Sequence, residues 1–123
     1  MIAPVTAQVT KKLFSVDDYY RIYRSGVITD AERVELIAGE IVYMSPTGAK
    51  HATCVDRLNR ILMRQLIDRS QLRVQSSIHL SAQSQPQPDL ALLKLKEDEY
   101  ESGHPSPADT ADSAIEYDMI GVK

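Results

Sequence analysis

The segment that most constrains the fold is Asp89-Leu90-Ala91-Leu92-Leu93, which follows the breaker Gln85-Pro86-Gln87-Pro88. A strand with one wet face alternates apolar and polar side chains. Here Leu90 to Leu93 are apolar in succession, so both faces of the strand need cover. The prolines bias the residues before them towards extended backbone and keep the approach to the run out of a helix. A short strand buried on both sides belongs at the centre of an α/β sheet, and the rest of the chain must supply the covering layers.

The clearest of those layers is a helix from about Ala49 to Ser70. Val55, Leu58, Leu62 and Leu66 recur at spacings of three and four, with Cys54 and Ile61 beside them. Arg57, Arg60 and Arg64 follow the same spacing on another face. A shorter helix starts at Ser15, a capping residue, with Asp17 and Asp18 in the first turn where the helix dipole favours anions. Phe14 can staple onto Tyr19, and Gly26 ends the helix. Residues 33–44 alternate roughly through Val34, Leu36, Ile41 and Tyr43, which predicts two short strands around a turn at Ala38-Gly39. Leu72 to Leu80 reads as one or two further strands, and Tyr100 as the anchor of a short helical turn. The order of helix, hairpin, long helix, strands and buried strand predicts a small α/β or α+β domain.

At 123 residues the chain makes one domain at most. It is 43% hydrophobic and 25% charged, ordinary for a soluble globular protein. No apolar run approaches the roughly 20 residues needed to cross a bilayer. The N-terminus lacks the basic and apolar regions of a signal peptide, so cytoplasmic location is the expectation. A net charge of −3 speaks against a protein that coats nucleic acid, though not against an enzyme that touches DNA through a local patch. Cys54 is the single cysteine and is expected to be a buried structural residue.

Few residues stand out as chemistry. Asp89, opening the buried strand after Pro88, is either a strand cap or a carboxylate placed to bind a hard cation such as Mg²⁺. His51, at the start of the long helix, either bonds a neighbouring backbone group or positions a water or phosphate. Glu35 and Glu40 flank the hairpin turn and can approach each other, but exposed strand glutamates are common. The arginine stripe either meets phosphates or is a solvated face partnered by Asp56 and Asp68. His79 is expected to face solvent and His104 to lie in a loop, and neither has zinc-ligand spacing around it. Signatures of serine hydrolases, nucleotide triphosphatases and dinucleotide binding are absent from the sequence.

Taken in order, these pieces resemble the Uma family of restriction-endonuclease-like proteins, which cyanobacteria carry in many copies. The resemblance rests on Leu13 to Tyr19, Val34 to Ile41 followed by Met44-Ser45-Pro46, Gly48 to His51, Pro88 to Leu92, and the stretch through Tyr100 to Pro107. It implies membership of the PD-(D/E)xK nuclease superfamily, whose members hold one or two Mg²⁺ ions with acidic residues and hydrolyse DNA phosphodiesters. On that resemblance Asp89 is a metal ligand, Glu35 an early glutamate directed at the site, and His51 the helix-start histidine. Where the family usually continues with an apolar strand ending Ile-Glu-Val, whose glutamate is the second metal ligand, this chain runs from Asp109-Thr110 directly into Ala111-Asp112-Ser113. Glu116 is therefore either a displaced second metal ligand or a residue of the segment after the lost strand. Lys123 stands in for the family's lysine only on the first reading.

The resulting expectation is a restriction-endonuclease-like α/β (α+β) core, a mixed sheet flanked by helices, lacking a central strand and the C-terminal elements. Residues 1–12 are read as a flexible lead-in, 13–110 as the incomplete domain and 111–123 as a truncated tail. The expected function is that of a Mg²⁺-dependent DNA endonuclease, with Glu35, His51, Asp89, Glu116 and Lys123 as site residues and an incomplete catalytic set. The alternatives are a non-catalytic remnant of the fold, or an interaction module that keeps the hairpin and long helix as a homodimer surface.

Overall fold

A computed structural model describes residues 8–110 of the chain. Helix α1 spans Val16–Arg24, strands β1 and β2 span Val34–Ile37 and Glu40–Tyr43, helix α2 spans Ala49–Leu66, and strands β3 and β4 span Ser70–Val74 and Leu90–Lys94. A single 3₁₀ turn, Pro107–Asp109, follows. The described strands form two antiparallel pairs, β1 with β2 and β3 with β4. The class is thus mixed α and β as expected.

The first half of the domain assembles around the β1–β2 hairpin. Ala38 and Gly39 both have positive φ, 48° and 82°, the signature of a two-residue turn whose twist matches its strands. Gly39 is required twice over, because a Cβ there would also lie 2.7 Å from the Leu13 Cβ. Ser15 caps α1, accepting from the Asp18 N–H at 3.1 Å while the Asp18 carboxylate accepts from the Ser15 N–H at 3.0 Å. That second bond holds the Asp18 carboxyl below its ordinary range. Val16 and Tyr19 of α1 pack with Ile28, Val34 and Leu36, and Phe14 lies against this cluster.

The second half is organised by β4. Leu90 and Leu92 pack with Val55 and Leu62 of α2, while Ala91 and Leu93 pack with Ile78 and Tyr100. Both faces of the apolar run are covered, and Leu93 is fully buried at 0% exposure. Backbone bonds from Gln85 N–H to Leu36 O (2.8 Å) and from Gly39 N–H to Gln83 O (2.7 Å) tie the two halves together.

Several expectations need correction. α2 stops at Leu66, and β3 starts at Ser70. The Leu72–Leu80 stretch holds the end of one regular strand, within the one or two expected, and Gln75, which follows its last residue Val74, turns into the left-handed region (φ 47°). Cys54 is exposed. It sits one position before Val55, about a hundred degrees round the helix from that residue, and so leaves the apolar stripe. Arg57, Arg60 and Arg64 are exposed, and the ion pairs found among the described residues do not include Asp56 or Asp68. His79 is half-buried, its backbone N–H donating to Pro105 O at 2.8 Å.

Three outcomes are expected. Leu93→Ala should cost about 2–5 kcal/mol in chemical denaturation, as buried leucine truncations do. Replacing Arg57, Arg60 and Arg64 together by Gln should stay within about 1 kcal/mol, as for solvated positions. The depressed Asp18 carboxyl contributes stability that is fully present above its ordinary value of 3.8 and is lost as pH falls through the lower folded value. Asp18→Asn should therefore flatten the acid limb of a stability-versus-pH curve.

Candidate active site

Three elements deliver three side chains to one cleft. On β1, Val34 and Leu36 turn into the core, so Glu35 between them points to the opposite face. It is nevertheless buried, at 9% exposure. The reason lies in the breaker segment. Pro86 and Pro88 have no N–H, so Gln87 carries the one backbone donor among these three residues, and that donor reaches Glu35 Oε2 at 2.9 Å.

Asp89 follows at the entrance to β4. Its backbone carbonyl accepts from the Gln75 N–H at 2.9 Å, which continues the β3–β4 pairing by one more bond. Its side-chain Oδ2 lies 2.9 Å from His51 Nε2, with the two side chains 28% and 19% exposed for His51 and Asp89. His51 belongs to the first turn of α2, which has no side-chain cap at Gly48 and no acidic residue. The packing of Val55 and Leu62 on β4 is what brings that turn to Asp89.

The cleft has a volume of about 560 Å³ and is lined by Glu35, His51 and Asp89 together with Arg33, Gln87 and the Tyr43–Thr47 stretch. Glu35 Oε1 and Asp89 Oδ1 receive no hydrogen bond from the described residues. No buried side-chain nitrogen or oxygen lacks a partner among those residues, so both free oxygens are open to solvent.

Glu35, His51 and Asp89 are thus brought together, as their choice as site residues required. Glu40 is not: its carboxylate pairs with Lys11 at 2.6 Å. Glu116 and Lys123 lie outside the described residues. Among the described residues, no three His, Cys, Asp or Glu side chains form a group able to hold a metal ion. Arg33 and Gln87 escaped the sequence reading. Arg33 stands two positions before Glu35 and Gln87 two before Asp89, so strand periodicity extended outward from the two acids was the signal that pointed to them.

A family model, Uma2, described as "putative restriction endonuclease", matches residues 16–116. No curated protein and no solved structure matches the chain.

Glu35 holds the breaker segment through one buried bond. Glu35→Ala should cost about 1–3 kcal/mol, the penalty for stranding the Gln87 N–H. Glu35→Gln, whose amide oxygen still accepts, should cost clearly less in the same denaturation experiment.

Proposed function

The chain belongs to the Uma2 family, and from that membership and the meeting of Glu35, His51 and Asp89 in one cleft we propose that the cleft is part of a Mg²⁺-dependent DNA endonuclease centre which this chain does not complete. The observation that carries the reading is the carboxylate pair. Asp89 and Glu35 each keep one solvent-open oxygen in the same cleft while the other oxygen is held by His51 or by Gln87. Mg²⁺ is usually held by one or two carboxylates, with water and substrate phosphate filling the remaining positions, so this donor set fits it. A bound Mg²⁺ would supply positive charge against the charge that develops on a phosphodiester under attack.

The chain's own residues do the positioning. His51 fixes the orientation of Asp89 and leaves Oδ1 available. Gln87 does the same for Glu35. Arg33 on the cleft wall offers a cation to a DNA phosphate, and the uncapped first turn of α2 favours an anion beside it. What is wanting beyond the Asp89 and Glu35 pair is the further carboxylate that the family resemblance places on a strand beside Asp89. The direct passage from Thr110 to Ala111 omits the strand that would carry it, and Glu116 replaces it only by sliding into that place. We therefore read the chain as a nuclease by descent, located in the cytoplasm, without turnover of its own. A second reading, a non-catalytic module that forms homodimers, draws support from Ile61 on α2 and Ile67 just after it, exposed at 49% and 57%.

Plasmid nicking in Mg²⁺ and in Mn²⁺, beside an Asp89→Asn control, tests the reading. The chain should give no metal-dependent nicking. Inserting a strand ending Ile-Glu-Val after Thr110, with the family's C-terminal segment, should create nicking that Asp89→Asn abolishes. Metal-dependent nicking by the unaltered chain, lost in the control, would overturn the reading and make Glu116 and Lys123 working residues. A concentration-independent monomer in sedimentation would exclude the dimer module.

A further inference from the structure

We propose that a second cleft, formed by Arg73, His79 and His104, is a binding site for a phosphate-type oxyanion. This cleft has a volume of about 470 Å³ and shares no lining residue with the one that holds Asp89. Tyr20 and Gln85 add neutral polar groups to its wall, and Glu101 is its acidic one.

The anchor is the Arg73 guanidinium. Arg73 lies on β3 opposite Ala91 and is half-buried. Its Nη1 donates to Ser77 O at 3.1 Å and lies 3.1 Å from His104 Nδ1. The ion pairs found among the described residues are Lys11–Glu40 and His51–Asp89, so Arg73 has no carboxylate partner there. A half-buried cation without a counter-ion is costly, and a guanidinium has five N–H donors, of which only those on Nη1 are engaged by the described residues. An oxyanion would satisfy both the charge and the remaining donors, for which the planar fork is well shaped.

The two histidines extend the donor set. Because Arg73 can only donate, His104 Nδ1 must accept, and the ring proton of neutral His104 sits on Nε2 as a further donor. Burial, then the charge of Arg73 and the nearby His79, holds His104 below its ordinary range, which favours that neutral form. The wall behind Arg73 is rigid. Tyr100 has its ring centroid 5.9 Å from the guanidinium carbon, and its hydroxyl donates to Lys94 O at 2.6 Å. Lys96 Nζ lies 5.1 Å from the same ring, where the nearby Asp98 and Asp109 carboxylates offset its charge, so the cation on the cleft wall is Arg73. Glu99 and Tyr100 are both held in the left-handed region, at φ 53° and 66°, a cost that non-glycine residues bear where the surroundings fix them firmly.

The oxyanion is either free phosphate or a phosphate of the DNA backbone, and one experiment separates the two. The 123-residue chain is titrated with inorganic phosphate at constant ionic strength while the ring C–H signals of His51, His79 and His104 are followed by NMR, with chloride as the control salt. Saturable shifts confined to His79 and His104 are expected. Arg73→Gln should weaken the response roughly tenfold or more, in line with the loss of charged hydrogen bonds, whereas Arg60→Gln should leave it unchanged. His104→Gln provides a second test if Arg73→Gln does not fold. A short duplex that shifts the same signals and is displaced by phosphate identifies the DNA backbone as the source; a response to phosphate alone identifies a free anion. Absence of a saturable shift, a response equalled by chloride, or one that Arg73→Gln retains would overturn the proposal. His51 and Asp89 take no part, so failure here leaves the nuclease reading untouched, and a failed nicking assay leaves this site untouched.

Discussion

Everything in the domain depends on the need to dry β4 on both sides. With Leu90 and Leu92 facing one way and Ala91 and Leu93 the other, no single layer can bury the strand. Burial of aliphatic side chains of this size contributes about 1.5–3 kcal/mol each. Leaving one face wet would therefore forfeit an amount comparable to the whole margin of a small domain. α2 covers the first face and the Ile78 and Tyr100 turns cover the second. The geometry of the candidate site follows from this requirement. α2 is placed by Val55 and Leu62, its first turn falls beside the entrance to β4, and His51 meets Asp89.

The breaker before β4 solves a different problem. Residues 85–89 form no regular ladder, yet their backbone groups must find partners. They find them on alternate sides. Gln85 N–H reaches Leu36 O and Gln87 N–H reaches the Glu35 carboxylate, both on β1, while Pro86 O accepts from Ile78 and Asp89 O from Gln75. The segment is thereby pinned between the hairpin and the loop after β3. Glu35 has two tasks in this arrangement: one oxygen holds the segment that ends in Asp89, and the residue lines the cleft.

Much of this was legible because it rests on local periodicity. The α2 stripe, the Ser15 cap, the Ala38-Gly39 turn and the two-sided run all follow from spacing and residue type within a dozen positions. What escaped depends on contacts between distant parts of the chain. Cys54 was misplaced because its neighbours are apolar, although its angle on the helix takes it off the stripe. Glu35 and Glu40 looked alike as strand glutamates. Only the fold gives one to Gln87, 52 positions away, and the other to Lys11, 29 positions away. The family resemblance selected Glu35, His51 and Asp89 together, and their convergence is a property of tertiary packing that no single motif carried. His79 and His104 looked unremarkable for the same reason. His104's partner Arg73 lies 31 positions away, and neither histidine has a metal-ligand neighbour in sequence.

The two clefts bear differently on the chain's chemistry because their charges are arranged in opposite ways. In the first, two carboxylates are oriented by neutral or cationisable partners and present open oxygens, an arrangement that attracts a hard cation and, without one, repels a phosphodiester. In the second, an arginine with no carboxylate partner among the described residues lies beside an aromatic ring and two imidazoles. A nucleic acid meeting this surface would find attraction at the second cleft in the absence of metal, and at the first only once the carboxylates were neutralised. On the two proposals, phosphate binding and cleavage would rest on separate residues of the same domain. The groups around Arg73 are fixed by β3, by the Tyr100 turn and by the burial of β4, so their arrangement does not depend on the carboxylates of the first cleft.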